Sequence, residues 1–207
     1  MSDFKYLGVT ITRNLSFSRH INNVALNVSR ITGSIINLRS IVHCNILMKL
    51  YYALAYPHIS NHVIVWGSAP SCHLKILTVR INNLLRIILG VKKENGRPTI
   101  SNDQLYKTLR VLNLDSVFKY NLFKFLKLLI DEKMPEFWNL LLSEHVVTHP
   151  YNTRGVRFRH PALTCEIERR ALPHQLISLY EGVEKDLLEM NYTSSLRAYK
   201  KLLTIGQ

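Results

Sequence analysis

Five aspartates, Asp3, Asp103, Asp115, Asp131 and Asp186, stand far apart, and no two are adjacent. Two-metal catalysis clamps the attacking and leaving oxygens between ions that converging carboxylates hold. This spacing offers no Asp-Asp pair for that task. His58 and His62 lie four residues apart, as two ligands on one helix face would, and Cys72-His73 follows. Pro57 disturbs any helix there, and no C-x-x-C pair completes a zinc set. Cys44 beside His43 is a neighbour pair without an orienting acid, since Asp3 is the one carboxylate before Glu94. A Gly-x-Ser-x-Gly elbow is also missing. The expectation is no catalytic residue, no metal and no cofactor.

What remains is charge. The 207 residues carry a net +13. Residues 1–93 hold eleven Lys or Arg against Asp3 alone, whereas residues 161–207 hold six bases and six acids. A mixed solvated face would not segregate its signs this way. A long, nearly acid-free stretch suits a polyanion, because each Lys or Arg near a phosphate releases condensed counterions. An anionic membrane surface or a face kept basic for solubility are the weaker alternatives. A hydrophobic share of 47% with 20% charged residues argues for a packed core over disorder. Three cysteines, Cys44, Cys72 and Cys165, without framework spacing suit a reducing, intracellular setting. The start has no apolar region of a signal peptide. Leu50 to Leu74 lacks charge, but Pro57, Gly67 and Pro70 interrupt it, so no membrane span is expected.

The elements that carry this charge read as mainly α. Phe4 to Thr12 is strand-like, with Gly8 read as a bulge or a close backbone approach, a turn at Arg13-Asn14 and a short return through Phe17. Ser18 reads as an N-cap. Ile21, Val24, Val28, Ile31, Ile35 and Leu38 then recur at spacings of three and four, an amphipathic helix. A second helix is predicted from about Asn45 to Tyr56, ended or kinked by Pro57. A third covers about Ser71 to Leu89, with Gly90 as its C-cap. Shorter ones follow at Asp103–Arg110 and from Asp115 as N-cap, the latter with Lys119, Lys124 and Lys127 outside. Another opens at Pro135. Residues 143–165 read as a loop, and two helices close the chain near Gln175–Met190 and Ser194–Leu203. The expected organisation is a hairpin at 1–17, a helical domain at 18–142 and a looser helical tail at 143–207.

Several of these segments resemble one family. Phe4-Lys5-Tyr6-Leu7-Gly8-Val9 resembles the primer-grip hairpin that ends the palm of non-LTR retrotransposon reverse transcriptases. Leu15-Ser16-Phe17-Ser18-Arg19-His20-Ile21 is similar to the opening of that family's thumb. Leu50 to Ile59, Val65-Trp66-Gly67 and Leu84 to Ile88 resemble its next blocks. Tyr151 to Arg154 and Ser195 to Leu202 are similar to the tail of jockey-like elements. The resemblance implies a truncated copy: the non-catalytic end of the palm, the thumb and the tail of an RNA-directed DNA polymerase, without its aspartates and without polymerase activity of its own. It implies non-specific binding of RNA, DNA or RNA–DNA hybrid backbone through Lys5, Tyr6 and Gly8 of the hairpin, with Tyr6 at the primer. Arg19, Arg30 and Arg39, off the apolar stripe of the first long helix, are expected near phosphates. The hairpin's apolar residues Phe4, Leu7, Val9 and Ile11 are expected to lack a cover and to promote self-association. The alternative is an inert or co-opted helical protein-interaction module with no nucleic-acid role.

Overall fold

The computed structural model describes residues 3–91, 93–94, 97–138, 146–147, 157–158 and 166–206. It is mainly α, with a short antiparallel hairpin ahead of the helices. The chain forms two compact units, Met1–Phe118 with Leu203–Gln207, and Lys119–Leu202. The expected boundary after residue 142 lies outside the described residues.

In the first unit, β1 (Phe4–Tyr6) pairs with β2 (Val9–Ile11) in the register Phe4↔Ile11, Lys5↔Thr10, Tyr6↔Val9. The chain therefore reverses at Leu7-Gly8, not at Arg13-Asn14 as the sequence predicts. Both turn residues have positive φ, 46° at Leu7 and 87° at Gly8, which is what a two-residue type I′ turn requires. Gly8 is thus a turn residue and not a bulge. Val9 is buried, contrary to expectation, while Phe4, Tyr6 and Leu7 stay exposed.

Helix α1 (Ser18–Leu38) buries Ile21, Val24, Ala25, Val28, Thr32 and Ile35. Its cap is Phe17 in a left-handed conformation with no side-chain hydrogen bond, so Ser18 opens the helix without capping it. Helix α2 (Cys44–Leu50) does not stop before Pro57. It continues through a π-helical turn (Tyr51–Ala55) into α3 (Tyr56–Ser60). In α register, Pro57 would leave the Ala53 carbonyl without a donor and press its ring against it. Widening the turn, with the Tyr56 N–H donating to the Tyr51 carbonyl, carries the helix past the proline.

Helix α4 (Val63–Trp66) drives Trp66 into the core, where it is fully buried. The chain then passes Gly67, where an added Cβ would collide with the Phe118 ring and the Val63 carbonyl. Helix α5 (Ser71–Leu89) buries Leu77, Ile81, Leu84, Leu85 and Ile88 and packs along α1. Gly90 caps it at φ 79°, as its position in the sequence predicts. A short pair, β3 (Lys93–Glu94) and β4 (Arg97–Pro98), leads to α6 (Asn102–Leu109). Ser101 and Gln104 form a capping box at the start of α6. Tyr106 on α6 bonds the buried Asn82 of α5, and burial pushes its phenol up to about 12. Helix α7 (Leu114–Ile130) starts one residue before the expected cap Asp115, and Asn113 accepts from the Ser116 N–H instead.

The second unit takes over within α7, where Leu122, Phe123, Leu126 and Leu129 are buried. Lys127 is buried as well, which corrects the expectation that it lies outside with Lys119 and Lys124. The pair β5 (Val146–Val147) and β6 (Arg157–Phe158) crosses part of the segment expected to be loop. The rest of that loop, including Tyr151 to Arg154, lies outside the described residues. Four helices follow: α8 (Glu166–Arg169), α9 (Leu172–Gly182), α10 (Lys185–Glu189) and α11 (Tyr192–Ile205). Tyr199 of α11 stacks on Phe123 with ring centres 4.2 Å apart. Among the described residues no helix is long and apolar enough to cross a membrane.

Candidate nucleic-acid interface

Three elements of the first unit enclose a cleft of about 720 Å³. The hairpin contributes Lys5, Gly8 and Thr10. Helix α1 contributes His20, Asn23, Val24 and Asn27. The end of α3 and the turn after it contribute Pro57, His58, Ser60, Asn61 and His62. Helix geometry explains the α1 set: residues 20, 23, 24 and 27 are spaced three and four apart and share one face. The type I′ turn brings Gly8 over the same face, and the Asn61 amide nitrogen lies 3.9 Å from where a Gly8 side chain would start.

His20 ties the walls together. Its Nδ1 accepts from the Thr10 N–H at 3.5 Å, linking α1 to β2. Its ring meets Trp66 edge-on, with centres 5.7 Å apart. The Trp66 indole N–H in turn donates to the Asn61 carbonyl at 2.9 Å and fixes the turn that carries Asn61 and His62. The Nε2 of His20 is buried and has no hydrogen-bond partner. Desolvation by burial, together with nearby His62, holds the imidazole below its ordinary pKa and favours the neutral ring.

The depressed value carries a stability consequence. A histidine favoured as neutral in the folded chain takes up its proton sooner once unfolded, so its contribution is present above the unfolded pKa, near 6.5, and is lost as pH falls. The denaturation midpoint of the first unit should therefore drop between pH 7.5 and pH 5, and His20→Gln should flatten that dependence relative to wild type. Equal slopes for the two proteins would show that His20 does not set it.

The predicted binding residues are distributed unevenly around this cleft. Lys5 and Gly8 line it. Arg30 borders it through a hydrogen bond of 3.4 Å from its guanidinium to the Asn27 side chain. Arg19 pairs with Asp3, the lone acid of the basic stretch. Arg39 lies beside Gly90 at the C-terminus of α5, where a cation complements the helix dipole. Tyr6 projects to the opposite face of β1 from Lys5 and stacks on Phe4, with both rings more than half exposed.

His20, Asn23, Asn27 and Asn61 were not expected at a binding site. The i, i+4 pair of amides on α1 was legible, but their convergence with Asn61 depends on long-range packing. His58 and His62 both line the cleft, but the helix ends at Ser60 and His62, at φ 51°, lies beyond it, so the two do not form an i, i+4 pair on one helix face. Among the described residues no group of three or more His, Cys, Asp or Glu is placed to hold a metal ion. The cleft offers a cation, amides and imidazoles, and among the described residues no carboxylate lines it. Such a surface accepts anionic or hydrogen-bonding ligands and repels none of them by charge. No family model, curated protein or solved structure matches the chain.

Proposed function

We propose that the first unit is a nucleic-acid-holding module, the thumb-like part of a non-LTR retrotransposon reverse transcriptase, with no catalytic role of its own. The observation that carries this reading is the acid-free cleft between the hairpin and α1, with Lys5 in its wall and Arg30 at its border. It lies within a stretch, Phe4 to Lys93, that contains no Asp or Glu. Contacts of this type position a sugar–phosphate backbone without reading sequence. The partner is RNA, DNA or an RNA–DNA hybrid.

Titration of a labelled RNA–DNA hybrid at several salt concentrations tests this. Lys5→Gln with Arg30→Gln should weaken binding alike for every sequence. The slope of log affinity against log salt should shrink by about one unit per lost contact, so by about two. Both substitutions keep exposed, helix- or strand-compatible side chains, and the circular dichroism spectrum should not change. If the two titrations coincide for folded proteins, the nucleic-acid reading fails. The alternative, a helical protein-interaction module, then gains from the exposed Phe4, Tyr6 and Leu7 of the hairpin.

A further inference from the structure

The chemistry of the cleft wall does not match a phosphate alone. Three of its side chains, Asn23, Asn27 and Asn61, are carboxamides. A carboxamide carries two N–H donors and an acceptor, whereas a phosphate oxygen can only accept. A wall evolved for phosphate would be donor-rich throughout, with Arg, Lys and backbone N–H groups. The edge of a nucleobase presents donors and acceptors side by side, and an amide complements it in two-point contact. The Asn27 oxygen already accepts from Arg30, which leaves its N–H groups for a ligand.

His20 points to the same ligand class. Because its Nδ1 accepts from the Thr10 N–H, the ring hydrogen resides on Nε2. That N–H is buried without an acceptor, in a residue only 8% exposed. A buried donor left unsatisfied is unfavourable; the Nε2 has almost no accessible surface, so a ligand carbonyl oxygen or ring nitrogen reaches it and removes the penalty only with a small shift of the wall. A neutral imidazole suits such an uncharged acceptor better than it suits a phosphate. Val24 and Pro57 add apolar surface for the face of a ring. Lys5 stands in the same lining and can meet an attached phosphate. The volume, about 720 Å³, falls inside the roughly 300–1,000 Å³ range of small-molecule pockets. It is large enough for a single nucleotide.

We propose, building on the nucleic-acid-holding reading, that the cleft between the hairpin, α1 and the end of α3 receives one unpaired nucleobase, read by Asn23, Asn61 and His20, with its phosphate against Lys5. Holding would then be backbone-driven along the strand but selective for base identity at one position. Bases that stand outside a helix are recognised in this manner, through their hydrogen-bonding edges.

The test uses the full chain and small probes, so it does not depend on hybrid binding. Adenosine, guanosine, cytidine and uridine 5′-monophosphates are titrated at pH 7 beside ribose 5-phosphate and inorganic phosphate, followed by the side-chain amide resonances of asparagine. At least one nucleotide should bind about tenfold or more tighter than ribose 5-phosphate and shift the Asn23 and Asn61 amides. Asn23→Ala with Asn61→Ala should remove that advantage. Equal affinity for nucleotides and ribose 5-phosphate in the wild type overturns the proposal, and that comparison needs no variant. Absence of any nucleotide binding, or an advantage that survives in the folded double variant, overturns it too. Coincident hybrid titrations for the Lys5 and Arg30 variant would instead overturn the reading of the basic surface, so the two failures are told apart.

Discussion

Trp66→Ala is expected to cost the first unit about 3–5 kcal/mol, the largest single loss for any residue around the cleft. The indole is fully buried, and it holds two walls at once: its ring packs on His20 and its N–H donates to the Asn61 carbonyl. Single domains are stable by roughly 5–15 kcal/mol, so a loss of this size brings the unit close to unfolding. Trp66→Phe keeps most of the buried ring and loses the donor. The cost should fall to about 1 kcal/mol, the net contribution of one hydrogen bond. Urea denaturation followed by circular dichroism gives both values. The chain has two tryptophans, one in each unit, so fluorescence of the remaining Trp138 reports the second unit separately. A loss under 1 kcal/mol for the alanine variant would mean that the Trp66 side chain does not organise this core.

The second large effect is expected in the other unit. The Lys127 ammonium is nearly inaccessible, yet it has two partners, at 2.6 Å from Asp131 Oδ1 and 2.7 Å from the Leu188 carbonyl. It thereby fastens α10 to α7. Burial pushes the Asp131 carboxyl up, but hydrogen bonds and charge from Lys127 and Lys133 outweigh this and hold it below its usual range. The contribution of Asp131 is therefore present at neutral pH and is lost as pH falls into the carboxylate range. Lys127→Met retains the apolar stem and removes the charge. It leaves the Leu188 carbonyl without this donor and Asp131 with Lys133 alone. Breaking a buried pair from one side costs about 3–5 kcal/mol, and the lower end applies because Asp131 is partly exposed and keeps a second lysine. Removing both charges, Lys127→Met with Asp131→Leu, should recover part of the loss, since no charge is then stranded. Trp138 fluorescence against urea, in a Trp66→Phe background, reads the series. A single variant as stable as wild type would show that the pair contributes no net stability.

The local pattern of the sequence was enough to place the long helices. The three–four spacing from Ile21 to Ile35 specifies α1, because a helix turns every 3.6 residues and gathers those side chains on one face. Gly90 marks the end of α5, because glycine takes the left-handed cap without strain. The segregation of charge is likewise a property of the sequence alone. The nucleic-acid role drawn from it is a proposal that binding must test.

Other features depended on tertiary structure. Pro57 signals a helix end or a kink in isolation, and only the structure shows that the helix passes it through a π turn. Lys127 reads as a solvated lysine on a helix face, and its burial becomes tolerable through Asp131 together with a carbonyl from a helix sixty-one residues later. Gly8 in a strand-like run reads as a bulge, yet the register of β1 against β2 makes it a turn. The cleft itself was hidden for the same reason. Its walls come from residues 5–10, 20–27 and 57–62, and periodicity within a segment carries no information on which distant segment will face it. Trp66 joins two of those walls: its ring packs on His20 and its N–H donates to the Asn61 carbonyl, contacts that form only once the indole is buried.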